Sequence, residues 1–439
     1  MIAGGGVMLY CICPHISEVV VWKASYHYLQ GMFMMFIILH WIQQFHYSPH
    51  IKYAWYASIV FLLSTFSLEC FHLTPFFALT IIIYYRVVLG YEKILFKKAL
   101  LYFIIPIFIA SLAHEFLLIK VSGFYTTTVG DELHLPIITY LCKPPLYIYH
   151  ILFFGRFFSY NIQEHIYDFV STWKKLGVFY SVIVFICLYF VVRFRHISKQ
   201  SKSAFLIFTW MLMGMAIACP LWFPRMQLVT FDRYAYFMLP FVYLLFTFFL
   251  FRFLNRKIAF AIFILYAVVN IYFTRKENIY WKQSNRIVSS LIHSLPAVDS
   301  KIVLFLNLPK NMNGIPMIGP FNHFSFWQMY NLYNHTHLNN ISYDVVYYNM
   351  FSADNGAHAT VLNDSMLHIT LNQWGTWWWG GGLQGASSYN NEYYKLNVVD
   401  EGHWYELTLH RPASEYLLLY NVGDQFKIVD WTKKNIDQY

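Results

Sequence analysis

Charged side chains are scarce in this 439-residue chain. Asp, Glu, Lys and Arg make up 12% of the residues, whereas soluble globular proteins carry about 25%. Most of the deficit lies before residue 275, where long apolar runs recur. A water-exposed body of this length needs more charge to solvate its surface. The composition therefore excludes an ordinary soluble protein and predicts that lipid surrounds the first part of the chain.

Cysteine is also scarce. The six cysteines lie at or before residue 219, and four of them fall inside apolar runs. This distribution excludes a disulfide framework, and neither CxxC nor HExxH spacing occurs. The sequence indicates no bound cofactor and leaves a role for a divalent metal open.

The net charge of +9 lies in short basic clusters between apolar runs, such as 193–202 and 252–257. Clusters of this kind are typical of the cytoplasmic loops that fix the orientation of a membrane protein. We therefore exclude nucleic acid as a partner. With these clusters in the cytoplasm, the segments 14–27, 68–75, 120–177 and 224–233, and everything after about 275, are predicted to lie outside.

Apolar runs near the length of a membrane span recur along the first part of the chain. Six lie at about 28–44, 98–119, 178–194, 204–223, 234–251 and 258–274, and the block 53–85 reads as two joined spans. The run 2–13 is too short to span alone and is a re-entrant piece or a partial helix. The predicted fold is an α-helical polytopic membrane protein with about eight full spans and a partial first one.

Two further segments outside the spans are predicted to be ordered. The aromatic-rich stretch Pro144–Phe154 favours an interfacial helix that lies along the membrane surface. Residues 276–439 follow the transmembrane domain 1–275 and alternate strand-like runs, among them 302–308, 394–399, 405–409 and 416–419, with a short helix. They are predicted to form an extracytoplasmic C-terminal α/β or α+β domain. Its segment Trp374–Gly382 either stacks on sugar rings or headgroups, or packs within the protein.

Three patches combine charge, aromatic side chains and closeness to a span: Pro14–His27, Glu69–Pro75 and Phe231–Tyr236. Each by itself is typical of an interfacial loop, where Trp and Tyr lie at headgroup level. All three fall on the outer side in the predicted topology, so together they favour one cavity. There a carboxylate can act as a base and an arginine can hold a phosphate.

The patches also carry a resemblance. Pro14-His15-x-x-Glu18-x-x-x-Trp22, Glu69 with Pro75, and Asp232-Arg233-Tyr234-x-Tyr236 with Pro240 are similar, in order and spacing, to motifs of GT-C membrane glycosyltransferases. The nearest pattern is that of the O-mannosyltransferases that carry tetratricopeptide repeats, and of their bacterial relatives. No 34-residue repeat period is present here. The first motif has Pro and His in the opposite order, and Tyr26 and Leu68 stand where the family has basic residues.

The resemblance implies transfer of a sugar from a polyprenyl-phosphate carrier to an unidentified extracytoplasmic acceptor, in the inner membrane of a bacterium. It makes Arg233 a phosphate contact and places His15, Trp22, Asp232 and Tyr234 at the substrate. The superfamily carries its catalytic acid in the first external loop, after a first full span. Because this chain opens on a partial span, two cases stay open: a truncated N-terminus, with that acid missing and the chain as given inactive, or a chain that is active as given. Glu18 and Glu69 are second-tier catalytic candidates.

Two other functions remain open at this stage. One is a transporter or flippase, although ionisable residues cluster at the predicted span ends and no repeat is evident. The other is a non-enzymatic membrane protein that presents its external domain for envelope assembly.

Overall fold

The structure is a computed structural model. It describes residues 2–21, 26–65, 73–122, 137–218, 235–296, 301–309, 311–313, 315–318, 323–335, 343–346, 348–349, 357–371, 388–399 and 404–431. The chain divides into two compact units, Met1–Arg275 and Lys276–Tyr439.

The first unit is built from helices. In chain order they are α1 Ile2–Cys11, α2 Ser17–Val21, α3 Tyr26–Tyr47, α4 Lys52–Thr65, α5 Thr74–Val87, α6 Lys93–Ala99, α7 Ile105–Ser122, α8 Ile137–Leu141, α9 Lys143–Phe153, α10 Tyr160–Val170, α11 Trp173–Arg193, α12 Lys199–Ala218 and α13 Leu239–Phe253. Helix α14, Arg256–His293, begins in this unit and ends in the second. Pro14–Ile16 and Gly155–Phe157 form 3-10 turns.

Three helices of the described residues are long and apolar enough to cross a membrane: Lys93–Leu117, Trp173–Arg193 and Arg256–His293. The pair Ile2–Cys11 and Pro14–Val21, bent by 57°, adds a fourth if it is one broken span, and is otherwise a re-entrant loop. Both possibilities fit the expectation for the run 2–13. The mostly helical fold, with candidate membrane-spanning helices and a strand-containing C-terminal region, is thus confirmed.

The count of eight full spans stays a prediction. Each of the eight predicted segments contains a helix. However, α4 and α5 have 14 residues each and α13 has 15, which at 1.5 Å per residue gives roughly 21–23 Å against a hydrocarbon core of about 30 Å. Helices α3 and α12 are longer but include several His, Gln, Ser and Lys residues, which lowers their mean hydropathy.

The span Lys93–Leu117 contains a π-helical turn at Leu100–Ile104, which joins α6 to α7 without a break. Pro106 lies two residues after the end of this turn. In a regular α-helix its ring would clash with the carbonyl of Tyr102, and it has no N–H to donate. The wider π turn makes room for the ring, so the proline is accommodated inside an apolar helix.

Helix α11 presents apolar side chains to its surroundings. Phe185 is 71% exposed and Val192 is 75% exposed, and only 6% of its most apolar stretch is buried. A contiguous apolar surface of this kind is unfavourable in water. Lipid is the environment that suits it.

Helix α1 packs closely on α13 because glycines face the contact. A Cβ atom on Gly6 would lie 2.9 Å from Cα of Leu244, and one on Gly5 would lie 3.1 Å from Cγ2 of Thr247. The distance at Gly6 is shorter than real Cβ atoms show, and the one at Gly5 is tight, so these glycines set how near the two helices come. Gly4 faces open space.

We expect Gly6→Val to lower the thermal stability of the full chain in detergent, by roughly 1–3 kcal/mol of overpacking. The matched control is Gly4→Ala, where nothing lies within 4 Å. It should leave the melting temperature unchanged or raise it, since alanine favours helix by up to about 1 kcal/mol. Equal melting temperatures for Gly6→Val and wild type would contradict the close contact.

The second unit contains strands β1 Ile302–Phe305, β2 Leu308–Pro309, β3 Asn311–Met312, β4 Ile315–Pro316, β5 Tyr343–Val345, β6 Tyr348–Asn349, β7 Ala357–Asn363, β8 Met366–Leu371, β9 Ser388–Asn390, β10 Tyr394–Val399, β11 Trp404–Leu409, β12 Tyr416–Val422 and β13 Gln425–Ile428, with helix α15 His323–Asn334. A mixed sheet has the order β13-β12-β1-β5, and an antiparallel sheet has the order β7-β8-β11-β10-β9. Strand β1 is parallel to both β12 and β5.

The mixed sheet is buried on both faces. Val303 and Phe305 pack with Trp327 of α15 and Leu291 of α14. The alternate residues of β1, with Leu418 of β12, pack instead against the antiparallel sheet. Because side chains alternate along a strand, a strand covered on both faces is apolar throughout. The unit is therefore layered as helices, mixed sheet and antiparallel sheet.

Asp344 connects strand β5 to the turn between β9 and β10. Its carboxylate accepts hydrogen bonds from Val345 N at 2.8 Å and from Asn391 Nδ2 at 2.6 Å. The neighbouring phenol of Tyr343 is also affected. Burial is the larger cause and the charge of Asp344 the smaller one, and together they raise the pKa of Tyr343 to about 12. This phenol therefore stays protonated near neutral pH.

A buried asparagine continues the pairing of β1 with β12 beyond the end of β1. Asn421 N donates to Asn307 Oδ1 at 2.7 Å, and Asn307 Nδ2 donates to Asn421 O at 3.3 Å. Both residues have no exposed surface. The side chain thus satisfies two backbone groups that water does not reach.

We expect Asn307→Ala to destabilise the second unit by about 1–3 kcal/mol, the cost of leaving buried backbone groups unsatisfied. The matched control is Asn363→Ala, which removes a side chain that bonds Ser365 N on an exposed turn. Water replaces that bond, so its effect should be smaller. Thermal unfolding of the full chain compares the two, and equal effects would contradict the assignment.

Candidate functional site

The structure describes the predicted site residues unequally. His15 is described fully, on the 3-10 turn Pro14–Ile16. Glu18 is described only as part of the backbone of α2. Five predicted residues lie outside the described ranges: Trp22, Glu69, Asp232, Arg233 and Tyr234. The segment Trp374–Gly382 lies outside them as well.

Described residues that belong to or flank the three patches meet at the start of α13. Tyr10, before the first patch, has its ring centroid 6.1 Å from that of Tyr236 in the third. Tyr28, just after the first patch, lies 5.8 Å from Phe237. The contact nearest the second patch is made by a residue shortly after Pro75, the last residue of that patch.

There Phe77 of α5 stacks at 6.0 Å on Phe241 of α13. Trp210 of α12 completes the packing, 5.5 Å from Phe241, and its Nε1 donates to Thr80 Oγ1 at 2.8 Å. The described residues bordering all three patches therefore contact one short segment, Tyr236–Phe241.

That segment is held firmly. Residues 235–238 are buried, and Met238 N donates to Ala235 O at 3.1 Å. Pro240 lies in the first turn of α13, where a missing N–H costs nothing. Helix α12 approaches so closely that a Cβ on Gly214 would lie 3.0 Å from Phe237 O. The Tyr236–Phe241 segment thus has one position relative to the helices around it.

Hydrogen bonds from two later helices fix the end of α1, just before Pro14. Tyr243 of α13 donates from its hydroxyl to Cys13 Sγ at 3.0 Å. Thr274 of α14 donates from Oγ1 to Ile12 O at 2.8 Å. A helix end leaves carbonyls without partners inside the helix, and Thr274 satisfies one of them. The turn that carries His15 is thereby tied to α13 and α14.

His15 is 1% exposed and stacks on Phe154, with ring centroids 6.4 Å apart and planes 16° apart. Phe154 ends α9 in the left-handed backbone conformation, with φ of 55°. Its ring also packs on Tyr266 and Phe273 of α14 at 5.3 and 4.8 Å. The contact joins the first patch to the end of α9.

Two more basic side chains are buried beside this contact. Arg156 is on the 3-10 turn that follows Phe154, and His150 is one helical turn before it. A Cβ on Gly155 would lie 2.8 Å from His150 Nδ1, which places that ring against the turn. We call His15, His150 and Arg156 the basic cluster. Buried basic groups favour an anion as their neighbour.

The segment after the cluster is supported by Gln163 of α10. Its Nε2 donates to Phe158 O at 2.7 Å and to Arg156 O at 3.2 Å. At the start of α9, buried Lys143 lies with Nζ 4.8 Å from the ring centroid of Tyr140. In the described residues no group of three or more His, Cys, Asp or Glu side chains is placed to hold a metal ion.

The basic cluster was missed by the sequence analysis. Residues 144–154 were predicted to form an interfacial helix, and a helix is present at Lys143–Phe153. Its role as a partner of His15 was not foreseen, because that contact joins distant parts of the chain. The local signal was Gly155, which marks a sharp turn directly before a basic residue.

Comparison with known proteins places the chain in no group. No family model matches it, and neither the curated proteins nor the solved structures include a significant match.

We expect Gly155→Ala to disturb the basic cluster, because the new Cβ would clash with Cε1 of Tyr149 and would lie 2.8 Å from His150 Nδ1. The overpacking should lower the free energy of unfolding by roughly 1–3 kcal/mol. The expected result is a lower melting temperature of the detergent-solubilised chain. Gly177→Ala in α11 is the matched control, since it has nothing within 4 Å. If both variants have the same melting temperature as wild type, the turn is not tightly packed.

Proposed function

We propose that the chain is a multi-pass membrane glycosyltransferase of the GT-C type. It transfers a sugar from a polyprenyl-phosphate carrier to an acceptor outside the cytoplasm. The observation that carries the proposal is the convergence on Tyr236–Phe241 of described residues bordering all three patches. Loops that form one site must begin at neighbouring positions on the helices. The contacts that the bordering residues make with Tyr236–Phe241 meet this requirement.

The proposed topology follows the basic clusters. The loops near Arg195 and Arg256 lie in the cytoplasm, and the three patches and the second unit lie on the opposite side. All eight apolar helices, α3–α5, α6 with α7, and α11–α14, take part in the membrane domain. Of the shorter ones, α5 and α13 pack on each other through the buried rings of Phe77 and Phe241.

The proposed chemistry is a displacement at the anomeric carbon. The acceptor oxygen forms a bond to that carbon while the bond from the carbon to the phosphate oxygen breaks. A carboxylate takes the proton of the acceptor, and Glu18 and Glu69 are the candidates on this chain. Arg233 holds the leaving phosphate bidentately, with Asp232 and Tyr234 beside it.

The basic cluster supports the same chemistry. His15 belongs to the first motif, and its turn is tied to α13, which carries the end of the third motif. The guanidinium of Arg156 adds a positive charge two residues after Phe154, on which His15 stacks. An anionic carrier is therefore better suited to this part of the protein than a neutral substrate.

The test uses membranes that contain the full chain and a panel of polyprenyl phosphates carrying a labelled sugar. Transfer is measured as label leaving the carrier together with release of free polyprenyl phosphate. We expect Arg233→Gln to slow transfer by about 10- to 100-fold, because a hydrogen bond to a charged group contributes about 1.5–3 kcal/mol. Arg195→Gln, on the basic loop after α11, is the matched control and should keep the wild-type rate.

The outcomes separate the alternatives. Absence of transfer across the panel, with the chain folded in the membrane, would sink the enzymatic proposal. Movement of the intact labelled carrier across proteoliposome membranes would favour a flippase. If a variant that combines Arg233→Gln with Glu69→Gln still supports envelope assembly in cells, the non-enzymatic role would be favoured.

A further inference from the structure

The first unit contains a groove that begins where the Tyr236–Phe241 segment ends, at Val242, and runs toward the C-terminal end of α13. The groove has a cavity volume of about 620 Å³ and lies between α9, α11, α12 and α13. Its walls are almost entirely aliphatic and aromatic. Phe190 of α11 stacks on Phe205 of α12 at 4.5 Å, and Phe249 stacks on Phe253 along α13 at 5.7 Å.

The groove is elongated and has a different chemistry at one end. Along α13 it runs from Val242 to Phe253, which is about 16 Å at 1.5 Å per residue. The end near Phe253 is also lined by Ser201 and Arg252. Phe249 and Phe253 are 50% and 72% exposed, so the groove opens to the surroundings of the helix bundle.

Charge at that end has one sign. Residues 186–211 and 242–257, which supply most of the lining, include seven Lys and Arg residues and no Asp or Glu. Arg252 makes no hydrogen bond or ion pair within the described part of the chain. Lys202, next to Ser201, lies with Nζ 4.7 Å from the ring centroid of Phe194. An apolar channel with a guanidinium at its mouth fits an amphiphile that has a long chain and an anionic head.

We propose that this groove binds an anionic glycerophospholipid. One acyl chain lies along α13 between Val242 and Phe249, and the phosphate lies at Arg252 and Ser201. The basic loops 193–202 and 252–257 draw such a lipid from the leaflet on their side. The groove end with Arg252 is at the C-terminal end of α13, and the candidate site is at its N-terminal end. The bound lipid is therefore structural and distinct from a sugar donor.

The experiment purifies the full chain in mild detergent and measures retained lipid by native mass spectrometry, with phosphatidylglycerol and phosphatidylcholine offered at equal concentration. We expect the wild-type protein to retain phosphatidylglycerol preferentially. Arg252→Gln should weaken that binding by about five- to tenfold, the size expected of one guanidinium–phosphate contact at a membrane surface. Arg256→Gln, on the same basic segment but outside the groove, is the matched control and should stay within about twofold of wild type.

A second variant tests the channel without changing charge. Ser201→Trp places a bulky ring at the mouth, and it keeps the backbone hydrogen bond from residue 201 N to Ser198 Oγ. It should reduce retention of both lipids. Circular dichroism and the melting temperature in detergent confirm that each variant is folded.

Three results would overturn the proposal. One is equal retention of phosphatidylglycerol by wild type and Arg252→Gln. Another is an equal loss in Arg256→Gln, which would indicate surface charge alone. The third is displacement of phosphatidylglycerol by a polyprenyl phosphate at equal concentration, which would make the groove a donor site. None of them depends on whether the chain transfers sugar.

Discussion

Steric packing at the start of α13 is the constraint on which the first unit depends. Four other helices reach the Tyr236–Phe241 segment, and each does so through an aromatic ring or a glycine: Tyr10 from α1, Tyr28 from α3, Phe77 from α5, and Trp210 with Gly214 from α12. A close-packed interior responds to changes as small as one methylene. The positions from which the three patches extend are therefore set by this packing.

The first unit also keeps its polar groups inside while its apolar groups face outward. Tyr243, Asn270 and Thr274 are directed at one another or at α1, and Asn270 Nδ2 donates to Tyr266 O at 2.9 Å. Helix α11, by contrast, exposes valines and phenylalanines. In water the opposite distribution is stable, because apolar surface is driven inside. In hydrocarbon, polar groups need partners within the protein, so this arrangement is the favourable one.

Local sequence predicted much of the fold because the relevant signals are local. The run before Pro309 and the runs at 394–399, 405–409 and 416–419 carry strand patterns, and strands occur at each of them. The order of the sheets was beyond prediction. Strand β1 pairs with β12, which lies more than a hundred residues later, and apolar side chains on both faces give no register signal. For the same reason the sequence indicated His15 as a residue of the first patch, but its stacking on Phe154 was not predicted.

The π-helical turn at Leu100–Ile104 has a consequence for reading the helix in which it lies. A π turn contains one residue more than an α turn, and one residue corresponds to about 100° around the axis. A helical wheel drawn continuously from Lys93 therefore places every residue after Ile104 about 100° from its true direction. In the wheel, the side of α7 that packs on α4 and the side that faces lipid appear rotated. Scanning mutagenesis of this span should number its faces separately on the two sides of the turn.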